Sequence, residues 1–278
     1  MRHLLQFEGI KLLHRPRTFL SIGLMLVLVG LIFWGLNAEG ENALGYLFQS
    51  LGDNFLMQGS ILNGYMVSFL ILNTLWIHIP ILIVIVTGDL FSSELESGTI
   101  RLLMTRPISR NRVALGKFAT AVLYVFVFVL IFSLVSLGLA LLLFGSGDLI
   151  VAFNGLQIIP EADLLWRFFA AFGYAFLAMS TFAIFSVAIS FFTRKSLVAI
   201  LITLGIIVIS TLLQTLASSL FMGWEFFLIT YHFAQWQLFF YSEIDWVSLL
   251  NSSLWLMVFS SFCIVVSLIR FNKLKITE

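Results

Sequence analysis

Side chains able to do chemistry are scarce in this 278-residue chain, which holds 14 acids, 15 basic residues, four histidines and one cysteine. No G-x-x-x-x-G-K-[ST] phosphate loop, H-E-x-x-H pair, G-x-S-x-G elbow or Cys/His cluster occurs, so neither nucleotide binding of the usual kind nor a familiar hydrolytic site is expected. Cys263 lies inside an apolar run with no disulfide partner and reads as an inert buried thiol. His78, in "NTLWIHIPIL", is titratable and deep within an apolar stretch, with Asn73 and Thr74 one turn before it and Pro80 after it. An ionisable residue in such a place is a functional-site candidate by default; the reading we favour is a neutral ring bonding another helix. Ser210, Thr211, Gln214, Thr215 and Ser218 make a polar stripe on another apolar run. Such a stripe either glues helices, at about 0.5–2 kcal/mol per bond, or lines a pathway. The candidate pathway residues are thus Asn73, His78, Ser210, Thr211 and Gln214. No covalent chemistry, metal or cofactor is expected on this chain.

The elements that position these residues follow from composition. Sixty per cent of the residues are apolar and ten per cent charged, against about 25% charged in an ordinary soluble domain, and mean hydropathy is +1.07. A membrane-spanning helix needs about 20 apolar residues. Charge-free runs of that kind lie at 19–36, 66–86, 118–144, 168–192, 197–221 and 247–269. The first, with no small-x-small cleavage site after it, is expected to be a retained span rather than a signal peptide. Fourteen of the 15 basic residues fall on alternate connections that share a side with the N-terminus, Arg167 being the exception. The positive-inside rule then predicts an all-α polytopic protein of six transmembrane helices with both termini in the cytoplasm, in the plasma or inner membrane.

Residues 1–17 predict an amphipathic helix ended by Pro16. Glu8, Lys11 and Arg15 share a narrow stripe as mutually supporting charges, and Leu5, Phe7, Ile10, Leu12 and Leu13 fill the remaining face, which would lie in the inner membrane surface. Between Trp224 and Trp246 ten of 23 residues are aromatic. The 222–246 connection is therefore expected to be a re-entrant or interfacial helical pair, or an aromatic belt at two helix ends.

Charge is concentrated in 88–117, which carries three acids and five basic residues between two apolar runs. Ser93 and Glu96 match the capping box, and Gly98 is placed to stop that turn. Thr99 is expected to cap a second short helix, "IRLLMTR", ended by Pro107, and Ser109 to start the third span. Ile100, Leu102, Leu103 and Met104 are grouped too closely for a solvated connector, so they must bury against the bundle, lipid or another protein.

The stretch "E-x-x-x-G-T-[IL]-R-L-L-x-T-R-P-I-S-R-x-R-x-x-x-G-K" resembles the signature of membrane permeases of the second type of ATP-binding-cassette (ABC) exporters. Glu94, Gly98, Thr99, Arg101, Leu102, Leu103, Thr105, Arg106, Pro107, Ser109, Arg110, Arg112, Gly116 and Lys117 match it. The order of N-terminal helix, six spans and half-inserted segment before the last span is similar along the whole chain. The resemblance implies that 92–107 is a coupling helix seated in a groove of a separate cytoplasmic ATPase. Its candidate residues are Glu94, Glu96, Gly98, Thr99, Arg101, Leu102, Leu103, Arg106, Pro107 and Arg110, with Glu94, Glu96 and Arg101 favoured as partner contacts over Arg112 and Lys117. The arginines would pair with acids on the ATPase or with lipid phosphates. It further implies two permease chains, identical or related, over two ATPase copies that hold ATP and magnesium, with no nucleic acid involved. The alternatives are an ATPase-coupled signalling or assembly subunit, or a stand-alone carrier or channel. The apolar spans tilt the cargo expectation towards a hydrophobic or amphipathic molecule.

Overall fold

The computed structural model describes residues 2–52, 62–105, 108–152, 156–216 and 225–274. Its N-terminal helix α1 (Arg2–Leu13) stops before Pro16, which opens α2 (Pro16–Gly52). Proline at a first helical position gives up only an amide that has no intrahelical partner, so the expected break is met there. Among the described residues six stretches are long and apolar enough to cross a membrane: Pro16–Gly40, His78–Glu96, Arg110–Phe144, Glu161–Ser190, Ser196–Leu216 and Trp246–Lys273. Five overlap the apolar runs read from the sequence over most of their length, whereas the second shares only residues 78–86 with the run at 66–86.

The second run is not one helix. It divides into α3 (Gly64–Leu75) and α4 (His78–Thr87). Pro80 removes the amide that would bond back one turn, and the chain breaks at Trp76 and Ile77. The short helices α5 (Ser92–Glu96) and α6 (Thr99–Met104) follow, then α7 (Arg110–Ser133), which passes through a wider π-turn at Leu134–Leu139 into α8 (Ala140–Phe144). An antiparallel hairpin, β1 (Leu149–Ala152) with β2 (Leu156–Ile159), sits in the next connection, with Leu149 opposite Ile159 and Ala152 opposite Leu156. It modifies the all-α expectation. Asn63 stitches it to α3: its amide donates to the Asp148 carbonyl at 2.7 Å while its Oδ1 accepts from the Met66 amide at 3.0 Å. The long helices α9 (Glu161–Ser190), α10 (Ser196–Leu216) and α12 (Trp246–Lys273) complete the bundle, with α11 (Ile229–Ala234) between the last two.

The stretch His78–Glu96 and α9 are the most buried of the six, at 72% and 67% against 22% for α2 and α12, and α9 is the central post because it touches α4, α7, α10 and α12. Aromatic rings close the core beneath α5: Phe91 stacks on Phe191 with centroids 3.8 Å apart and meets Phe271 edge-on at 5.0 Å. Much of the outward surface is itself apolar, including Trp34, Leu142, Leu216 and Val258, as a lipid solvent permits.

The described part of the aromatic-rich segment is largely packed rather than solvated. A 3-10 turn at Glu225–Phe227, α11 and a second 3-10 turn at Gln235–Phe240 fold it into the bundle, where Phe233, Trp236, Phe239 and Phe240 are buried.

Candidate functional site

The charged stripe of α1 faces the protein. Glu8, Lys11 and Arg15 pair not with one another, as the spacing suggested, but with residues many turns distant. At the centre is Lys117, with 0% of its surface exposed. Its ammonium forms an ion pair with Glu94 Oε2 at 2.8 Å, donates to the Leu90 carbonyl at 2.9 Å, and lies 3.5 Å from Glu8. Glu94, 4% exposed, also accepts from Lys11. Beside this group Asp89 receives Arg15 at 2.7 Å on one oxygen and Arg17 at 2.6 Å on the other, and Arg15 reaches Ser93 Oγ at 3.0 Å. Buried charges persist only when paired and hydrogen-bonded, and here α1, the α4–α5 connection and α7 supply one another's partners. Phe7, Ile10 and Leu13 are exposed on the opposite face of α1, whereas Leu12, expected on the same face, is buried in the core.

This cluster fixes α5, and Gly98 then turns the chain. Its φ of 72° is left-handed, a region open to glycine at little cost. Ile100 turns inward and is buried, whereas Leu102 projects with 71% of its surface exposed. A cleft of about 790 Å³ opens between α1 and α6, lined by Phe7, Lys11, Arg15, Thr99, Leu102 and Leu103 among others.

Several expectations need correction. The capping box does not form: Ser93 Oγ donates to the Asp89 carbonyl at 2.6 Å, and Glu96 reaches across the bundle to accept from the Ser196 amide at 2.9 Å, capping α10. Thr99 is the first residue of α6 behind Gly98 rather than a side-chain cap, and Ser109 occupies the cap position of α7 without a side-chain bond. Glu94 is turned inward, so it is not a free partner contact. Arg110 is also occupied: it donates to the carbonyls of Phe271, Asn272 and Leu274 at 3.0, 3.2 and 2.8 Å, closing the end of α12. Arg101 and Leu102 remain exposed and Leu103 partly so. Arg106, Pro107 and Ser218 lie outside the described residues.

A second polar site lies along α10. Gln214 is 18 residues beyond Ser196, roughly 27 Å at 1.5 Å per residue, and so far from the ionic cluster. Ser210 shares a hydrogen bond of 2.8 Å with Thr230 of α11. Asn73 accepts from the Gln237 amide at 2.9 Å and donates to the Phe69 carbonyl at 2.9 Å. The structure thus brings Asn73, Ser210 and Gln214 to the aromatic-rich segment. Thr211 spends its hydroxyl on the Ile207 carbonyl at 2.9 Å. Among the described residues His78 bonds only across the break in its own apolar run: its exposed ring lies 3.1 Å from the Thr74 carbonyl of α3. Outside the spans, the Ser248 hydroxyl and amide hold the Asp245 carboxyl below the usual range at the start of α12.

Sequence reasoning missed Lys117 as a centre and Arg167 as an anchor. Arg167 donates to the carbonyls of Phe239 and Tyr241 at 2.9 and 2.6 Å, pinning the second 3-10 turn. Its being the one basic residue off the alternating pattern was the available signal.

Comparison with known proteins accords with this architecture. The model of the ABC-2 family transporter protein matches residues 4–210, and the chain belongs to that family. It is a multi-pass membrane component of the ABC-2 type, a class whose members are typically non-catalytic. Over 179 residues it is 27% identical to a protein of Bacillus subtilis (strain 168) described as "Uncharacterized protein YhcI", an overlap covering 53% of this chain and 57% of that one.

Proposed function

We propose that this chain is the permease subunit of an ATP-driven exporter, and that the 92–107 segment couples it to a separate cytoplasmic ATPase. In this reading both termini face the cytoplasm, two permease chains form the pathway, and two ATPase subunits bind beneath them. ATP and magnesium belong to those subunits. Closure of the ATPases displaces the coupling segments, the bundles rock, and a cavity between them alternates between the two faces of the membrane.

The observation that carries this reading is Leu102: a large apolar side chain, 71% exposed on α6 beside an open cleft, with the backbone behind it held by buried ion pairs. An apolar side chain at the head of a rigid support suits insertion into a partner's groove, and a rigid support transmits a displacement that a slack loop absorbs. Arg101 stands beside it to meet acids on the partner. Glu94 and Glu96 serve the same end indirectly, by fixing α5 against α1, α7 and α10.

The test is co-purification of the chain with its candidate ATPase, comparing wild type with Leu102→Asp. Truncating or charging a central interface anchor typically removes 2 kcal/mol or more, about thirtyfold in affinity. We expect the variant to fold, because Leu102 is exposed, yet to lose the ATPase and substrate-stimulated ATP turnover. Retained assembly and turnover would defeat the coupling role of α6.

A further inference from the structure

At the far end of α10 from the ionic cluster lies a cavity of about 290 Å³, lined by Gln214, Tyr231, Ala234, Gln235, Gln237, Leu238 and Tyr241. That is at the small end of the range of ligand pockets, about 300–1,000 Å³. We propose that it is a substrate subsite that takes an uncharged, hydroxyl-rich group of the kind presented by a sugar ring. This rests on the exporter reading and deepens it by naming a substrate class.

The lining decides the chemistry. Three glutamines and two tyrosines line one small space, and no charged residue is among its described lining. A carboxamide offers two donors and an acceptor side by side, and a hydroxyl likewise donates and accepts. Neighbouring hydroxyls on a ring therefore match amides without a proton to spare. An anion or cation would lose its hydration here and find no opposite charge.

The groups are held in place before any ligand arrives. The Gln237 amide is tied to Asn73 at 2.9 Å, and the Gln235 amide lies 3.5 Å from the Tyr231 carbonyl. Arg167 grips the carbonyl of Tyr241 at 2.6 Å. One acceptor is left over: Gln214 Oε1 is buried and has no hydrogen-bond partner among the described residues. Buried polar atoms are nearly always satisfied, and a hydroxyl donor entering the cavity would satisfy this one. Gln214 would thereby meet the ligand directly, and Asn73 would act through Gln237.

The experiment uses the full chain in lipid nanodiscs, with and without its ATPase. The probes are octyl glucoside, octyl sulfate and octyltrimethylammonium, which share a tail and differ in head, together with methyl glucoside. Binding is read by ligand-observed NMR. We expect octyl glucoside to bind, and Gln214→Leu and Gln235→Leu each to weaken it about tenfold, the equivalent of one good hydrogen bond. Both charged heads should bind more weakly and show no dependence on Gln214. Gln214→Leu removes an unpartnered acceptor, so it should fold at least as well as wild type, and its thermal midpoint checks this. Methyl glucoside binding as tightly as octyl glucoside would point to a soluble glycan as the source, and binding only with the tail to a glycolipid. Equal affinity for all three heads, or no loss in either glutamine variant, overturns the subsite. Binding as expected without any change in ATP turnover when the ATPase is present leaves the subsite standing and removes the exporter reading beneath it.

Discussion

Lys117 shows most directly how single residues hold this protein together. A fully buried ammonium is tolerated because Glu94, Glu8 and the Leu90 carbonyl surround it. Removing one member of such a group leaves the others charged in a poor solvent, which typically costs about 3–5 kcal/mol. Lys117→Met is therefore expected to lower stability by that order in a thermal or denaturant series. The double variant Lys117→Met/Glu94→Gln should recover part of the loss, because the orphaned carboxylate is gone; equal instability of the two would contradict the pairing. Lys117 was visible in the sequence as the last position of the family-like motif, but its burial was not. Its partner Glu8 lies 109 positions away, and no local spacing encodes that contact. Glu94 misled for the same reason: an acid next to a serine-rich turn reads as a surface group until its distant cation is known.

At the level of the element, local chemistry was readable where it was backbone chemistry. Pro16 and Pro80 broke helices, and Gly98 stopped α5. Gly98 is left-handed with open space where a Cβ would stand, so Gly98→Ala meets strain alone, of about 1–2 kcal/mol. We expect that loss in thermal stability, a smaller one for Gly98→Asn, and a matching fall in ATPase coupling as α6 changes its angle. Identical behaviour of the alanine and asparagine variants would argue that the turn is not left-handed. Side-chain capping was less legible. Ser93 and Glu96 have the capping-box spacing, yet each finds a better partner elsewhere, Ser93 in Asp89 and Arg15 and Glu96 in the bare amide of Ser196. The hairpin Leu149–Ile159 was missed because its support, from Asn63, comes from before the second span.

For the molecule as a whole, length and hydropathy located six spans, because lipid demands long apolar helices wherever the chain crosses it. They could not say which helix is central, since a helix facing lipid and one facing protein are equally apolar. Its contacts with α4, α7, α10 and α12 make α9 the centre, and Gly88 marks how closely it is approached. A Cβ at Gly88 would stand 2.9 Å from Ser186 Oγ on α9 and 3.0 Å from Ile200 on α10. Gly88→Val should force these helices apart, at about 1–3 kcal/mol for overpacking. The check is a lowered thermal midpoint, with Gly88→Ala between it and wild type; a Gly88→Val protein as stable as the parent would mean the helices do not meet there. The site along α10 was half legible: the sequence supplied Asn73, Ser210 and Gln214, and the fold supplied the glutamines and tyrosines of the aromatic-rich segment.

The ionic cluster also has a history in time. Its first members, Glu8, Lys11, Arg15 and Arg17, leave the ribosome long before their partners, separated from them by 72 to 109 positions. At about 5–20 residues per second, Glu8 waits roughly 5–20 seconds for Lys117 to be made. Through that interval Glu8 keeps its charge in water while the first and second spans enter the bilayer. Lys11, Arg15 and Arg17 meet Glu94 and Asp89 once the chain beyond the second span is made, but Glu8 has its counter-ion only when the third span brings Lys117. The last ion pair of the cluster is thus the one that the third span completes.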